Sequence, residues 1–262
     1  MTLPSALAPL AEDPRAAAVV TDFDGTLAPI VDDPARARAL PAAVSALRDL
    51  AGRLGLVGVV SGRPVDFLRA QLPIDGLTLV GQYGLERLVD GEVMVDERAA
   101  TYAGAVAAAA DDAERRWPRL LVERKGTLAF SVHWRATPDA APPLEELQAL
   151  ARQHGLALSP GRMVGEVRAP VDIDKGAALN RLLDERPARA CAFAGDDHGD
   201  LPAFAALADR AQRHAGFAGV RIGVRSPEAP PALLADADHV ADSPADLARL
   251  LESLAAAVSA PR

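Results

Sequence analysis

The stretch Ala16-Ala17-Ala18-Val19-Val20-Thr21-Asp22-Phe23-Asp24-Gly25-Thr26-Leu27 decides the fold of this chain. Its apolar first half predicts a buried parallel strand, because strands that are covered on both faces are continuously hydrophobic. The run ends at two aspartates and a glycine, which predicts a functional loop at the carboxyl end of that strand.

Strand and helix patterns alternate on the C-terminal side of this stretch. The spacing of Val44, Leu47, Leu50 and Leu54 predicts a helix over 41–54, and the run from 56 to 60 predicts the next strand. Further predicted elements are strands at 77–80, 190–194 and 220–224 and helices at 175–185 and 244–258. This order predicts an α/β protein with a doubly wound, Rossmann-like parallel sheet.

The alternation is interrupted between residues 86 and 169. Asp90-Gly91 between two apolar runs predicts a hairpin. Beyond it we expect helices at 99–117 and 144–154 and strand pairs that turn at 125–127 and at Pro160-Gly161. We interpret this block as an inserted α+β lid, or cap, so the predicted domains are a core over 1–85, a cap over 86–169 and the rest of the core over 170–262.

Charge and hydropathy exclude several classes of partner. The 262-residue chain has a net charge of -8 and no long Lys/Arg run, which argues against nucleic-acid and anionic-membrane partners. It lacks a signal-peptide pattern and any run of ~20 apolar residues, so we expect a cytoplasmic protein. The single cysteine, Cys191, lies in an apolar predicted strand and is expected to be a buried thiol.

Two groups of carboxylates follow predicted strands. Asp22 and Asp24 stand two residues apart, so one can attack phosphorus while the other moves protons, which divides a slow hydrolysis into two steps. Asp196, Asp197 and Asp200 follow a later strand and suit Mg²⁺, which Asp22 and Asp196 would share. The alternatives are an acidic turn at the first site and a solvated loop, with Asp200 as a helix cap, at the second.

Two further motifs offer positive or hydrogen-bonding groups to a phosphate. Lys175 begins a predicted helix, where its ammonium and the positive helix end can neutralise phosphoryl oxygens. Ser61-Gly62-Arg63 follows the second strand and can donate a hydroxyl and backbone amides. Taken singly, these motifs are also typical of a surface lysine and an ordinary turn.

In order and spacing, Asp22 to Leu27, Ser61, Lys175 and Gly195-Asp196-Asp197 resemble the four motifs of the haloacid dehalogenase superfamily of aspartate-nucleophile phosphatases. The Ser-Gly-Arg sequence and the glycine pair Gly81 and Gly84 make the chain more similar to the trehalose-6-phosphate phosphatase family. That family has an α/β lid where the inserted block occurs. The resemblance implies Mg²⁺-dependent hydrolysis of trehalose 6-phosphate.

The resemblance also implies roles for individual residues. Asp22 would be the nucleophile and Asp24 the general acid and base, with Lys175 as the third catalytic residue. The expected phosphate-binding residues are Thr26, Ser61, Gly62, Arg63 and Lys175. The expected magnesium ligands are Asp22, Asp24, Asp196 and Asp197, with Asp24 contributing its backbone carbonyl.

Period-two alternation gives the predicted lid strands one polar face. Ser131, His133 and Arg135 alternate with apolar residues, and Glu123 shares a face with Lys125. A polar sheet face usually faces solvent, but in a sugar phosphatase it can bind hydroxyls. A similar set in the resembled family implies these sugar-binding residues: Glu123, Lys125, His133, Arg135, Arg162 and Glu166.

The same motifs are also consistent with other functions. The same first motif would serve a phosphatase of sucrose phosphate or mannosylglycerate phosphate, or a phosphohexomutase. A non-catalytic sensor of sugar phosphates is the alternative from outside the enzymes.

Overall fold

A computed structural model describes residues 3–161 and 163–259 of the chain. The chain divides into two compact units. The core unit comprises the residues up to Val31, Ala35–Gly91 and the residues from Ile173 onward. The inserted unit comprises Asp32–Pro34 and Glu92–Asp172.

The strands and helices follow the alternation predicted from the sequence. The strands are β1 (Ala17–Thr21), β2 (Leu56–Val60), β3 (Thr78–Gly81), β4 (Glu86–Val89), β5 (Glu92–Val95), β6 (Leu121–Lys125), β7 (Ala129–His133), β8 (Ala157–Gly161), β9 (Val164–Arg168), β10 (Ala190–Gly195), β11 (Ala218–Val224) and β12 (His239–Ala241). The helices are α1 (Ala8–Glu12), α2 (Pro41–Ala51), α3 (Val65–Gln71), α4 (Glu97–Ala100), α5 (Ala103–Arg116), α6 (Leu144–Gln153), α7 (Lys175–Glu185), α8 (Leu201–Arg213), α9 (Pro231–Asp236) and α10 (Pro244–Ala257). None of these described helices is long and apolar enough to cross a membrane.

The larger sheet has the strand order β12-β11-β10-β1-β2-β3-β4-β5. Strand β1 lies at its centre and pairs in parallel with β10 and β2, and β2 pairs in parallel with β3. The carboxyl ends of β1, β2 and β10 therefore lie at one edge of the sheet. The structure confirms the predicted fold class, an α/β core with a mostly parallel sheet and a separate inserted antiparallel sheet.

The core unit is built on a fully buried central strand. Every residue of β1 is buried, as the continuous apolar run predicts. Val20 packs in one hydrophobic cluster with Leu179 of α7 and with Phe193 and Phe204, whose rings meet edge to face at 6.4 Å. Burial of each large apolar side chain contributes about 1.5–3 kcal/mol, so this cluster fixes the strand ends that follow it. Cys191 is a buried free thiol, as predicted.

The inserted unit has its own sheet and core. Its strands are antiparallel in the order β6-β7-β9-β8. One face packs Phe130, Val132 and Val167 against Leu147 and Leu150 of α6. The alternation predicted for β7 is confirmed, because its apolar residues line this core.

Some predicted boundaries differ from the structure. The turn predicted at Pro160-Gly161 is wrong, because both residues belong to β8 and pair with Gly165 and Val164 of β9. Strand β8 is an edge of the sheet as described, where proline is tolerated. The helix predicted over 99–117 is interrupted and forms α4 and α5.

The first domain boundary also differs. The predicted cap includes Glu86–Val89, whereas these residues form β4, which pairs with β3 in the core sheet through Val80↔Arg87. The hairpin predicted at Asp90-Gly91 is present between β4 and β5. Its first strand extends the core sheet, a pairing that local sequence does not reveal.

Candidate active site

The loop after β1 lies close to the loop after β10, and a glycine stands at the point of contact. The backbone N–H of Asp22 donates to the carbonyl of Ala194 at 2.8 Å, which continues the parallel pairing past the end of β1. Gly25 has a φ of 71°, and a Cβ atom on it would lie 1.9 Å from Oδ2 of Asp196. Only glycine permits this backbone conformation and this close approach.

A buried lysine joins two of the aspartates. Lys175, the first residue of α7, is 2% exposed, and its Nζ lies 2.9 Å from Asp22 Oδ1 and 2.7 Å from Asp200 Oδ1. Burial alone would lower the pKa of Lys175, but the carboxylates of Asp200 and Asp22 outweigh burial and raise that pKa well above its usual range. Lys175 therefore remains a cation at neutral pH, which the predicted phosphate contact requires.

Asp200 positions the lysine and the loop after β10. One carboxylate oxygen accepts from Lys175, and the other accepts from the backbone N–H groups of Asp196 and Asp197 at 2.8 and 3.0 Å. Asp197 and Asp200 also cap the following turn reciprocally. Asp200 does not cap helix α8 with its side chain, the alternative raised from the sequence; it binds back to the turn that precedes α8 and has an ionic role that sequence reasoning missed.

Three carboxylates lie close enough to share a cation. Asp22, Asp196 and Asp200 each offer an oxygen, and these atoms lie within 4.8 Å of one another. Thr26 Oγ1 donates to Asp196 Oδ1 at 3.2 Å, while Asp196 Oδ2 is buried without a hydrogen-bond partner. A hard divalent cation fits this oxygen-rich group.

Burial raises the pKa values of two carboxyl groups in this cluster. Burial and, to a smaller extent, the nearby charge of Asp22 raise the pKa of Asp196 to about 8. Burial raises the pKa of Asp22 to about 6 despite the opposing effect of Lys175. Bound cationic charge would offset both effects and keep the carboxylates ionised.

Asp24 lies outside this carboxylate group and pairs with Arg63. The guanidinium donates to both carboxylate oxygens, from Nε to Oδ2 at 2.6 Å and from Nη2 to Oδ1 at 2.9 Å. The same guanidinium lies 4.6 Å from the ring centroid of Phe67, whose edge-to-face partner is Phe23. Asp24 as general acid and base and Arg63 as a phosphate ligand remain predictions.

The predicted phosphate-binding loop is held by the chain that follows β3. Ser61 is buried, and its hydroxyl accepts from the backbone N–H of Arg63 at 3.3 Å. The backbone N–H groups of Gln82 and Tyr83 donate to the carbonyls of Arg63 and Ser61, both at 3.0 Å. Gly62 lies between these anchored residues.

Ser226 is a further site residue that the sequence did not reveal. It follows β11, and its nearby hydroxyl opposes the rise in the pKa of Asp196. The backbone N–H of Glu228 donates to the same hydroxyl at 3.0 Å. Its position directly after a predicted strand is the sequence feature that could have indicated a place in the site.

The inserted unit carries the predicted polar residues on one sheet face. Glu123, Ser131 and Glu166 stand in register across β6, β7 and β9, and we call the face formed by Glu123, Lys125, Ser131, His133 and Glu166 the polar face. Lys125 forms an ion pair with Glu166, and His133 Nε2 lies 2.9 Å from Glu123 Oε2. Arg135 is half-buried just beyond β7. Arg162 lies outside the described residues.

A family model described as trehalose-phosphatase matches residues 20–229 of the chain. The chain belongs to the trehalose-phosphatase family. It is 34% identical over 201 residues to the trehalose-phosphate phosphatase of Mycobacterium tuberculosis, covering 72% of the chain and 51% of that protein. It is 36% identical over 228 residues to an uncharacterized glycosyl hydrolase of the same species, covering 82% of the chain and 16% of that protein.

The trehalose-phosphatase fold is also found among solved structures. The C-terminal domain of Candida albicans trehalose-6-phosphate phosphatase matches with a TM-score of 0.75 and 20% identity, covering 97% of the chain and 98% of that domain. At this identity the likeness concerns the fold alone. The chain spans about half the length of the phosphatase relative and less of the hydrolase. The family resemblance read from the motifs is therefore confirmed.

Proposed function

We propose that this chain is a Mg²⁺-dependent phosphatase that hydrolyses trehalose 6-phosphate to trehalose and phosphate through an aspartyl phosphate on Asp22. The observation that carries the proposal is the buried Lys175 bridging Asp22 and Asp200 beside Asp196. Family membership supports phosphate-ester chemistry at this site, and the named mycobacterial relative supports the sugar.

Asp22 and Asp196 are the residues best suited to hold the magnesium ion. Asp196 Oδ2 has no hydrogen-bond partner, whereas both oxygens of Asp200 are bound by Lys175 and backbone amides. The backbone carbonyl of Asp24 and the carboxylate of Asp197 complete the predicted set. When bound, the ion supplies positive charge that offsets the charge of the phosphoryl group.

In the first step, an Asp22 oxygen attacks phosphorus. The new bond joins Asp22 to phosphorus while the bond between phosphorus and the sugar oxygen breaks. The leaving oxygen takes a proton from Asp24, because an alkoxide is a poor leaving group. Lys175 neutralises charge in this step and holds the nucleophile, since its Nζ lies 2.9 Å from Asp22 Oδ1.

In the second step, water attacks the phosphorus of the aspartyl phosphate. Asp24, now ionised, takes a proton from that water, and the bond between Asp22 and phosphorus breaks. Inorganic phosphate leaves with Asp22 restored as a carboxylate and Asp24 protonated, so the two steps close a cycle.

We assign recognition of the sugar to the polar face. Its charged side chains are paired with one another, Lys125 with Glu166 and His133 with Glu123. Charged groups form strong hydrogen bonds with hydroxyls, so a disaccharide can exchange for these internal partners. Arg135 and Arg162 complete the set expected from the sequence.

The test is phosphate release across a panel of esters with magnesium present. The panel contains trehalose 6-phosphate, sucrose phosphate, mannosylglycerate phosphate, glucose 6-phosphate and p-nitrophenyl phosphate. We expect the highest kcat/KM for trehalose 6-phosphate. Preference for another sugar would overturn the substrate assignment, and calorimetric binding without turnover would indicate a sensor.

A further inference from the structure

Arg63 holds both oxygens of the proposed proton-transfer residue. Its Nε and Nη2 lie 2.6 and 2.9 Å from the two oxygens of Asp24. Arg63 is buried, whereas the side chain of Asp24 is 32% exposed, so the arginine is the ordered partner and Asp24 stays accessible. Charge-assisted bidentate pairs fix geometry as well as charge.

The guanidinium of Arg63 also contacts an aromatic ring. It lies over the ring of Phe67, 4.6 Å from the centroid, and that ring packs against Phe23. This stacking restricts rotation of the arginine side chain. Asp24 therefore pairs with a guanidinium whose orientation is fixed.

The backbone of Arg63 is fixed by the turn after β3. Its carbonyl accepts from Gln82, and a Cβ atom on Gly81 would lie 2.6 Å from that carbonyl oxygen. Gln82 and Tyr83 both adopt left-handed conformations, with φ of 51° and 59°. Non-glycine residues adopt this conformation at an energetic cost that surrounding contacts must offset.

The Tyr83 ring adds a steric restraint on the same loop. A Cβ atom on Gly62 would lie 2.7 Å from the ring, so the backbone between Ser61 and Arg63 passes directly against it. The turn at Gln82 and Tyr83 therefore packs directly against the loop from Ser61 to Arg63 and restricts its movement.

We infer that Arg63 is a positioning residue that aims Asp24 for proton transfer, and that the turn at Gln82 and Tyr83 keeps Arg63 in place. This role differs from the phosphate binding expected from the sequence. The inference rests on the proposed function, because it assumes that Asp24 exchanges protons with the leaving sugar and with water.

The decisive comparison uses Arg63→Ala with two leaving groups in single-turnover experiments that isolate the first step. p-Nitrophenolate leaves without a proton, whereas the trehalose oxygen needs one from Asp24. We expect the step with trehalose 6-phosphate to slow by roughly 10- to 100-fold, part of the roughly 10²–10⁴-fold that a positioned acid contributes. The step with p-nitrophenyl phosphate should change little, as should competitive inhibition by inorganic phosphate.

A phosphate-binding role for Arg63 predicts the opposite pattern. It would raise KM for both esters and weaken inhibition by phosphate, and that result would overturn the inference. A double-mutant cycle gives a second test, because Arg63→Ala should cost almost nothing further in an Asp24→Asn background. Additive losses in the cycle would also overturn it.

Two variants keep the test sound if Arg63→Ala folds poorly. Arg63→Lys retains charge and the aliphatic stem but cannot form the bidentate contact, so we expect an intermediate loss on trehalose 6-phosphate alone. Arg69→Ala, on helix α3, which begins two residues after Arg63, removes a surface pair with Asp66 and should leave the activity unchanged. Absence of turnover in the unaltered protein would overturn the proposed function, whereas turnover with additive losses would overturn only the inference.

Discussion

The charged residues of the core site and those of the polar face are held in different ways. In the core, Lys175 is buried between two aspartates, and backbone amides fix Asp200. On the polar face, side chains from different strands of one sheet pair with each other: Glu123 with His133, at 18% and 16% exposure, and Lys125, at 14%, with the buried Glu166. On the proposed function, the core arrangement would serve any phosphate ester, whereas the polar face would have to exchange its own pairs for the sugar.

The largest expected effect tests the core. Asp22→Asn should lower kcat on every ester by on the order of 10⁴- to 10⁶-fold, the range found when a nucleophilic machinery is disabled. The variant should fold, because replacing a carboxylate whose pKa burial has raised to about 6 removes an unfavourable charge. Steady-state phosphate release measures the loss of kcat, and thermal unfolding without metal measures whether the variant folds. Activity within tenfold of the unaltered protein would rule out the nucleophile.

The second prediction tests the polar face. Lys125→Ala and Glu166→Ala should each lower kcat/KM for trehalose 6-phosphate by about 10- to 1,000-fold, from loss of a charge-assisted contact of roughly 1.5–3 kcal/mol and misorientation. Hydrolysis of p-nitrophenyl phosphate should stay within about twofold, since its small leaving group has no hydroxyls for these contacts.

Arg124 provides the matched control for that prediction. It lies on the same strand β6, but its side chain pairs with Asp111 and Glu114. Arg124→Ala should leave both substrates unaffected. If Lys125→Ala and Glu166→Ala slow both esters equally, or neither, the polar face is a solvated surface and the contrast with the core disappears.

The third prediction concerns pH and metal. The raised pKa values of Asp22, about 6, and Asp196, about 8, mean that protons compete with Mg²⁺ for these carboxylates. Apparent Mg²⁺ affinity should therefore fall by about tenfold per pH unit for each proton displaced as pH drops below 8. Activity titrations with magnesium at pH 6, 7 and 8 measure this, and chelation should abolish turnover. A magnesium affinity independent of pH would contradict the assignment.

Stability without metal should vary in the opposite direction. The ordinary aspartate value is 3.8, so the native protein holds protons between about pH 4 and 8 that the unfolded chain has released. The free energy of unfolding of the metal-free protein should fall as pH rises through that window. Asp196→Asn should flatten the slope in thermal unfolding series, whereas Lys125→Ala should not.

Much of the core could be predicted because its signals are local. A continuous apolar run marks β1, and Asp22 to Thr26 marks its end, so topology alone brings these residues to one edge of the sheet. The pairing of β4 with the core sheet could not be predicted, since a hairpin sequence does not specify which sheet it joins.

Side-chain partners within the site were the least predictable feature. The sequence indicated acidic residues after β10, but it did not reveal that Asp200 binds Lys175 while Asp196 keeps an unbonded oxygen. It likewise did not reveal that the side chain of Arg63 pairs with Asp24, 39 residues earlier in the chain. Such contacts depend on rotamers and long-range packing, which residue type and spacing do not specify.

The smallest expected effect concerns thiol labelling of Cys191, which reports on unfolding of the core unit and not of the inserted unit. Burial raises the pKa of this thiol to about 12, and it is the chain's single cysteine, in strand β10. We expect negligible reaction with a thiol reagent at pH 8 until the core unfolds. Polar-face variants should not change the labelling rate. Rapid labelling of the folded protein would contradict the buried core strand.

Pro160 has a consequence for behaviour at high concentration. It lies in β8, an edge strand of the inserted sheet as described, and it carries no main-chain N–H donor. Edge strands with a full set of donors are templates for pairing with another chain, and proline blunts them. Pro160, which led to the turn predicted at Pro160-Gly161, is therefore expected to limit strand-mediated aggregation, so Pro160→Val should increase light scattering during storage.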